Sequence, residues 1–427
     1  MPALTADLEY FGAVNFAMQQ NKLPYIKSVT ITNFTESRID NVWFNLSFEP
    51  QFAENISVRI GSIMPGQVVE VGNEHFDINL SFDFLVGLTE RILGYNVIDV
   101  YSGNTLVYHK KYDVYLLALE ECPLQIAPAL LAAFVMPNHP ALVPVLKRAS
   151  DKLDILGSDL SGYQRRDKNF VKQQMKAIYM ALKELEITYV APPQSYFFQD
   201  IGQRLRLVDD VVTNRLGTCL DTSILFASCL EALNLNPLII MVEGHAFVGC
   251  YLEDFDDIED FDFDQSPVIT DFDFMLEMRN LMEFVETTAV TRHGDDVYTY
   301  EEAVRSTKPK LRRDKFICAL DIKRLRENNI DPLPQRILQE YWNNSNQLTT
   351  LPTHPAALPG NRELTIYNDD LYYIYLNNII YGPYLLDQMQ DLPLLPDTLI
   401  TTNRLNGEWY EAKDFACFAN KFRMIGG

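Results

Sequence analysis

"GTCLDTSILFASCLEALNLNPLIIMVEGHAF" runs from Gly217 to Phe247, and its reading decides the fold. The stretch from about Cys219 to Leu233 reads as an apolar helix, and Asn234 then favours a helix end. Two apolar runs follow, "PLIIMVEG" and "HAFVGCYL", and read as strands joined by a tight turn at Glu243–Gly244. A helix feeding a hairpin places this part of the chain in the α+β class.

The same stretch carries chemistry. Cys219 stands at the start of the helix, and His245 follows 26 residues later on the first residue of the second strand. A helix N-terminus favours negative charge through its unpaired amides and its macrodipole, and Gly217 or Thr218 stands at the cap. A thiol becomes a useful nucleophile in such a field when a base stands near. Strand alternation puts His245 on one sheet face with Phe247, Gly249 and Tyr251. A third group should fix the imidazole tautomer and stabilise its charged form. The strand expected from "LMEFVETTAV" offers Glu283 and Glu286, three residues apart and therefore on opposite faces. Glu286 is preferred for its hydroxyl neighbours in "VETT". The backbone N–H of Cys219 and the side-chain amide of Gln203 are the two candidates for stabilising an oxyanion. Asp221 reads as a helix cap. Free cysteines are among the most buried residue types, so Cys229, Cys250 and Cys318 read as core. The imidazole and the helix start set Cys219 apart from them.

These residues give the chain a resemblance. "RLGTCLD", "LNLNPLIIMVEGHAFVGCYL" and "FVETT" resemble the core of the transglutaminase-like cysteine peptidase superfamily. There a Cys lies at a helix start, a His at a strand start and an acid followed by Thr on the next strand. Cys219, His245 and Glu286 match those positions. "AIYMAL", "ITYVAPPQSYFFQDIGQRLRL" and "DIKRLRENNIDPLP" extend the likeness to a bacterial branch, over about residues 20–335. The resemblance implies a papain/transglutaminase-like α+β core and a cysteine hydrolase with a Cys-His-Glu triad acting on a protein or peptide. A protease is the first reading. Acyl transfer to an amine, deglycosylation of an amide, and a catalytically silent protein-binding adaptor are the alternatives. The chain departs from the pattern in having Glu286 where Asp is usual, and in an acidic insertion before it.

That insertion, from Glu253 to Met278, holds 11 acidic residues and no basic one. It reads as a solvated loop anchored by Phe255, Phe261 and Phe263, or as a lid over Cys219. It lacks the spacing of a calcium loop.

Composition bounds the rest. The chain has 427 residues, 47% of them hydrophobic, and a net charge of −22, so it folds, and it repels phosphate backbones and anionic lipid. No nucleic-acid or membrane partner is expected, and no cofactor or metal. The six cysteines are scattered without CxxC spacing, which suits a reducing compartment. No signal peptide is read at the N-terminus, and a cytoplasmic location is expected.

Residues 1–122 read as an antiparallel, immunoglobulin-like β-sandwich built from runs such as "SVTITNF", "NVWFNLSF", "ISVRIGSI", "QVVEVG" and "FDINLSF". Residues 123–335 form the expected hydrolase domain, with an amphipathic helix presenting Phe170, Met175, Ile178, Leu182 and Leu185. Residues 336–365 read as a linker. Residues 366–427 carry Tyr372 and Tyr373, "YGPY" at Tyr381–Tyr384, "LLDQMQDL" and Trp409, and resemble a bacterial GYF-like domain. That likeness implies a small α+β module taking proline-rich peptides on an aromatic face, with Tyr373, Tyr381, Tyr384 and Trp409 as candidates. The alternative is that these aromatics form the module's core.

Overall fold

A computed structural model describes residues 4–76, 78–155, 157–191, 201–255, 258, 266–292, 298–334, 372–376, 379–386, 389, 392, 394, 396, 398–402, 409–415 and 417–418. The chain is a mixed α+β protein that divides into two compact units, Met1–Leu333 and Pro334–Gly427. The expected linker at 336–365 lies outside the described residues.

The first unit begins with β1 (Leu4–Tyr10), β2 (Ala13–Val14), the short helix α1 (Phe16–Gln20), β3 (Ile26–Asn33), β4 (Ile39–Glu49), β5 (Ile56–Ile63), β6 (Val68–Gly72), α2 (Phe82–Val86), β7 (Ile92–Ser102) and β8 (Thr105–Leu116). Two sheets result, ordered β1-β3-β6 and β2-β8-β7-β4-β5. Alternation sets their buried faces. In β4, Val42, Phe44, Leu46 and Phe48 point inward while their neighbours face out. "FDINLSF" was expected as a strand and departs from it. Ser81 accepts a hydrogen bond from the Phe84 amide and caps α2, so local capping overrides the β-like composition there.

A short β9 (Glu121–Cys122) leads into two 3-10 turns, Pro128–Phe134 and Pro140–Leu142, where prolines break the helical spacing. Then come α3 (Val143–Asp154), α4 (Lys168–Lys183), β10 (Thr188–Tyr189), β11 (Gln203–Arg204), α5 (Val208–Asn214), β12 (Leu216–Gly217) and α6 (Cys219–Glu231). Phe170, Met175, Ile178, Leu182 and Leu185 are all buried. In α6 every residue from Leu220 to Leu230 is buried, as expected of a helix apolar on all sides. Asn234 takes a φ of 57° beyond its end, which matches the expected helix stop.

After α6 the chain enters β13 (Pro237–Val242) and β14 (His245–Tyr251), then β15 (Val268–Ile269), α7 (Phe272–Met278), β16 (Met282–Val285), α8 (Tyr300–Thr307), β17 (Phe316–Asp321) and α9 (Ile322–Glu327). The sheet is antiparallel, in the order β15-β17-β13-β14-β16. Its hairpin pairs Val242 with His245. Gly244 has a φ of 69°, a conformation that favours glycine in so short a turn. Gly249 is needed for space: a Cβ there would lie 2.9 Å from the Phe284 ring on β16.

The later half of the acidic stretch is not a solvated loop. It supplies β15 to the sheet edge and α7, which Asp271 caps. Phe255, Met275 and Met278 join Ile240, Phe247 and Tyr251 in one core. Its acids face out while its apolar residues cover the sheet. Phe261 and Phe263 lie outside the described residues.

The end of the first unit returns to its beginning. The Asp331 amide donates to Asn21 at 2.6 Å, the Leu333 amide to the Ala133 carbonyl at 2.8 Å, and Arg326 pairs with Glu231 of α6 at 2.8 Å. The run "DIKRLRENNIDPLP" is thus a clasp on the unit's interior.

The second unit contains β18 (Tyr372–Leu376), β19 (Ile379–Tyr384), β20 (Leu399–Thr402) and β21 (Tyr410–Glu411), in the order β19-β18-β20-β21. Tyr372, Ile374, Met389, Ile400, Phe415 and Phe418 form its core. Trp409 is only 2% exposed, so its ring is interior and not on a peptide-binding face. Tyr373 and Tyr384 are half-buried. Tyr381 pairs through its backbone with Ile374. Trp409→Ala is expected to cost the unit about 3–5 kcal/mol, read as loss of its unfolding transition in urea.

Candidate active site

The start of α6 is built by a reciprocal cap. Thr218 Oγ1 accepts from the Asp221 amide at 3.2 Å, and the Asp221 carboxylate accepts from the Thr218 amide at 2.9 Å. Asp221 also accepts from the Arg206 amide at 2.9 Å and the Arg206 guanidinium at 3.1 Å. The cap expected for Asp221 is present, and it fastens the segment before α5 to the helix start. Asp221→Ala should destabilise the first unit by about 1–3 kcal/mol, measurable by denaturant unfolding.

Cys219, the first residue of α6, is half-buried. Its surroundings differ from those of the other thiols in the first unit. Cys122, Cys229, Cys250 and Cys318 are buried. Burial pushes Cys229 and Cys250 up to about 12 and Cys318 up to about 11. Cys229 shares a helix with Cys219 but none of its exposure. A thiol-directed reagent on folded protein should therefore spare Cys229, and Cys229→Ala should leave the labelling yield unchanged by mass spectrometry.

His245 begins β14, and the Cys219 side chain is among the groups that raise its pKa. Its ring lies 6.5 Å from that of Phe247, on the shared face that alternation predicts. Nε2 donates to Glu286 Oε2 at 2.8 Å. Burial pulls the ring's pKa down, but the Cys219 side chain and Glu286 outweigh it and lift it to about 9.

Glu286 arrives differently from the expectation. β16 ends at Val285, and Glu286 caps the 3-10 turn Thr287–Thr291. Its Oε1 accepts from the Thr288 amide at 3.0 Å and the Thr288 hydroxyl at 2.6 Å. Burial alone would raise its pKa, yet the His245 ring, Lys310 and Thr288 hold it at about 2. Glu283 points elsewhere, to the Tyr300 hydroxyl at 2.7 Å and Lys172 at 2.8 Å.

Gln203 lies on β11. Its amide nitrogen donates to the Arg204 carbonyl at 2.9 Å, and no hydrogen bond among the described residues joins it to Cys219 or His245. β11 pairs with β9, Gln203 opposite Cys122.

Sequence reasoning missed several neighbours. Thr287, fully buried, meets Thr222 at 3.2 Å and Ser223 at 2.9 Å, and Ser223 donates to the Cys219 carbonyl at 2.7 Å. These hydroxyls tie the first turn of α6 to the segment carrying Glu286. Tyr189, 47% exposed, lies on β10 opposite Gly217. Partial burial, then the charges of Cys219 and Glu286, raise its phenol's pKa. Lys310 donates to Glu286 Oε2, and its Nζ stands 3.0 Å from His245 Nε2. The doubled Thr after Glu286 was the one legible hint of the hydroxyls. Lys310 gave none.

Among the described residues, no cluster of His, Cys, Asp or Glu is able to hold a metal ion, and no helix is long and apolar enough to cross a membrane. No known protein family matches the chain, and no curated protein does.

Proposed function

We propose that the chain is a transglutaminase-like cysteine hydrolase, with a protease as the first reading. One observation carries this: a half-buried thiol at a capped helix start whose side chain raises the pKa of an imidazole that a buried carboxylate also holds. Such an arrangement suits acyl transfer through sulfur. The Cys219 sulfur attacks the carbonyl carbon of an amide. The C–N bond breaks, and His245 gives its proton to the departing amine. Water then attacks the thioester, His245 takes its proton, and the acid leaves as Cys219 is restored. The unpaired amides of the first turn of α6, that of Cys219 among them, are placed to stabilise the oxyanion. Glu286 orients the ring and balances its charge.

Water and an amine are rival acceptors for the same thioester, so acyl transfer and deglycosylation stay beside hydrolysis as alternatives. Incubation with a labelled primary amine separates them: incorporation into a protein substrate supports transfer, and its absence alongside new carboxyl termini supports hydrolysis. The effect of the Cys219 side chain on the His245 ring and the partial exposure of Cys219 favour an enzyme over a silent adaptor. An electrophilic peptide probe should label Cys219 well ahead of Cys417, the other half-buried thiol. Equal labelling would contradict the proposal.

The N-terminal sheets fit an immunoglobulin-like scaffold. The second unit fits a GYF-like module for a proline-rich partner, with Tyr373 and Tyr384 as the candidate contacts and Trp409 as core.

A further inference from the structure

Two donors converge on one buried oxygen behind the imidazole. Glu286 is 3% exposed at its side chain, and its Oε2 accepts from both His245 Nε2 and Lys310 Nζ. The lysine also stands 3.0 Å from Nε2 itself. A carboxylate behind an imidazole stabilises the ring's charge and holds the proton on the nitrogen facing it. An ammonium at that place does the reverse on both counts. It spends part of the carboxylate's charge, it repels the imidazolium, and it has only protons to offer Nε2. A neutral ring accepting from Lys310 at Nε2 would carry its proton on Nδ1, the opposite tautomer to the one that Glu286 favours.

We propose that Lys310 is a positioning residue of this site: by sharing Glu286 with His245 and standing against Nε2, it sets how readily the ring gives up its proton. This rests on the hydrolase reading for its purpose. A ring too firmly protonated is slow to take a proton from water in the second half of the reaction, and catalysis is best when the ring's affinity lies near the working pH. In the reactive ion pair, Lys310 also balances the second negative charge, so sulfur, ring, carboxylate and ammonium alternate in sign. The other titratable groups nearby are Tyr189 on β10 and Tyr179 on α4, whose phenols feel the charge of Glu286, and Asp221 on α6, which is held by Arg206. Glu243, on the hairpin turn, is exposed. Among these, Lys310 alone is a cation in contact with the ring.

The test is the titration of the His245 ring nitrogens by NMR on the full-length protein. It is made in a Cys219→Ala background, so that the thiol's own ionisation does not couple into the curve. Adding Lys310→Met should raise the midpoint by about one pH unit or more, and adding Lys310→Arg should restore it toward the starting value. Lys310→Gln repeats the charge removal if the Met variant does not fold. An unchanged or lowered midpoint in the neutral variants overturns the proposal. The measurement needs no turnover, so its failure would leave the hydrolase reading standing. A protein without hydrolytic activity would leave this titration intact.

Discussion

Cys219→Ala is expected to reduce turnover to background, a loss of about 10^4-fold or more, and to remove probe labelling from the first unit. The reason is geometric. Among that unit's thiols only Cys219 combines exposure with an imidazole, and its other cysteines are sealed in the core. Alanine is the best helix former and a small change at the first helical position, so the cap of Thr218 and Asp221 should persist and the variant should fold. Unchanged thermal unfolding with lost turnover supports the assignment. Turnover retained in the folded variant would defeat it.

Glu286→Gln is the second large effect. The change preserves shape but removes the charge that holds the His245 ring protonated. A loss of about 10^2- to 10^4-fold in kcat is expected. The pH profile carries the finer signature. The ring is charged below about 9 and loses its proton as pH rises through that value, so the supply of a proton to the leaving amine should fail on the alkaline side. Without the carboxylate, burial is opposed only by the Cys219 side chain, while Lys310 continues to repel the ring. The alkaline limb should therefore move to lower pH. A limb that stays in place, with turnover near that of the parent, would remove Glu286 from the site. At the acid end, Glu286 is ionised above about 2, so its own protonation leaves turnover unaffected across the neutral range.

The α6–hairpin segment was legible because its signals are local. A Thr cap, an apolar helix, an Asn stop and a Glu-Gly turn all act within a few residues. The amphipathic α4 was legible for the same reason. Glu286 was legible as a residue but not in its setting: "EFVETTAV" continues the strand's composition, whereas the Thr288 amide and hydroxyl turn the chain out of the sheet after Val285. The acidic stretch misled because charge density hid the spacing of Phe272, Met275 and Met278. The setting of Gln203 was not legible, because it follows from pairing of β11 with β9, a long-range contact that no local pattern encodes. Lys310 was hidden by the same kind of distance. It lies 24 residues beyond Glu286, past α8, and only the return of the chain to β17 brings it behind the ring.

The measurement that bears most directly on the central claim is digestion of a protein-derived peptide library in heavy-oxygen water, read by mass spectrometry, with parent and Cys219→Ala proteins side by side. The account predicts new peptide termini carrying the heavy oxygen with the parent protein and none with the variant. The same set of labelled termini from both proteins, or none from the parent, would contradict it.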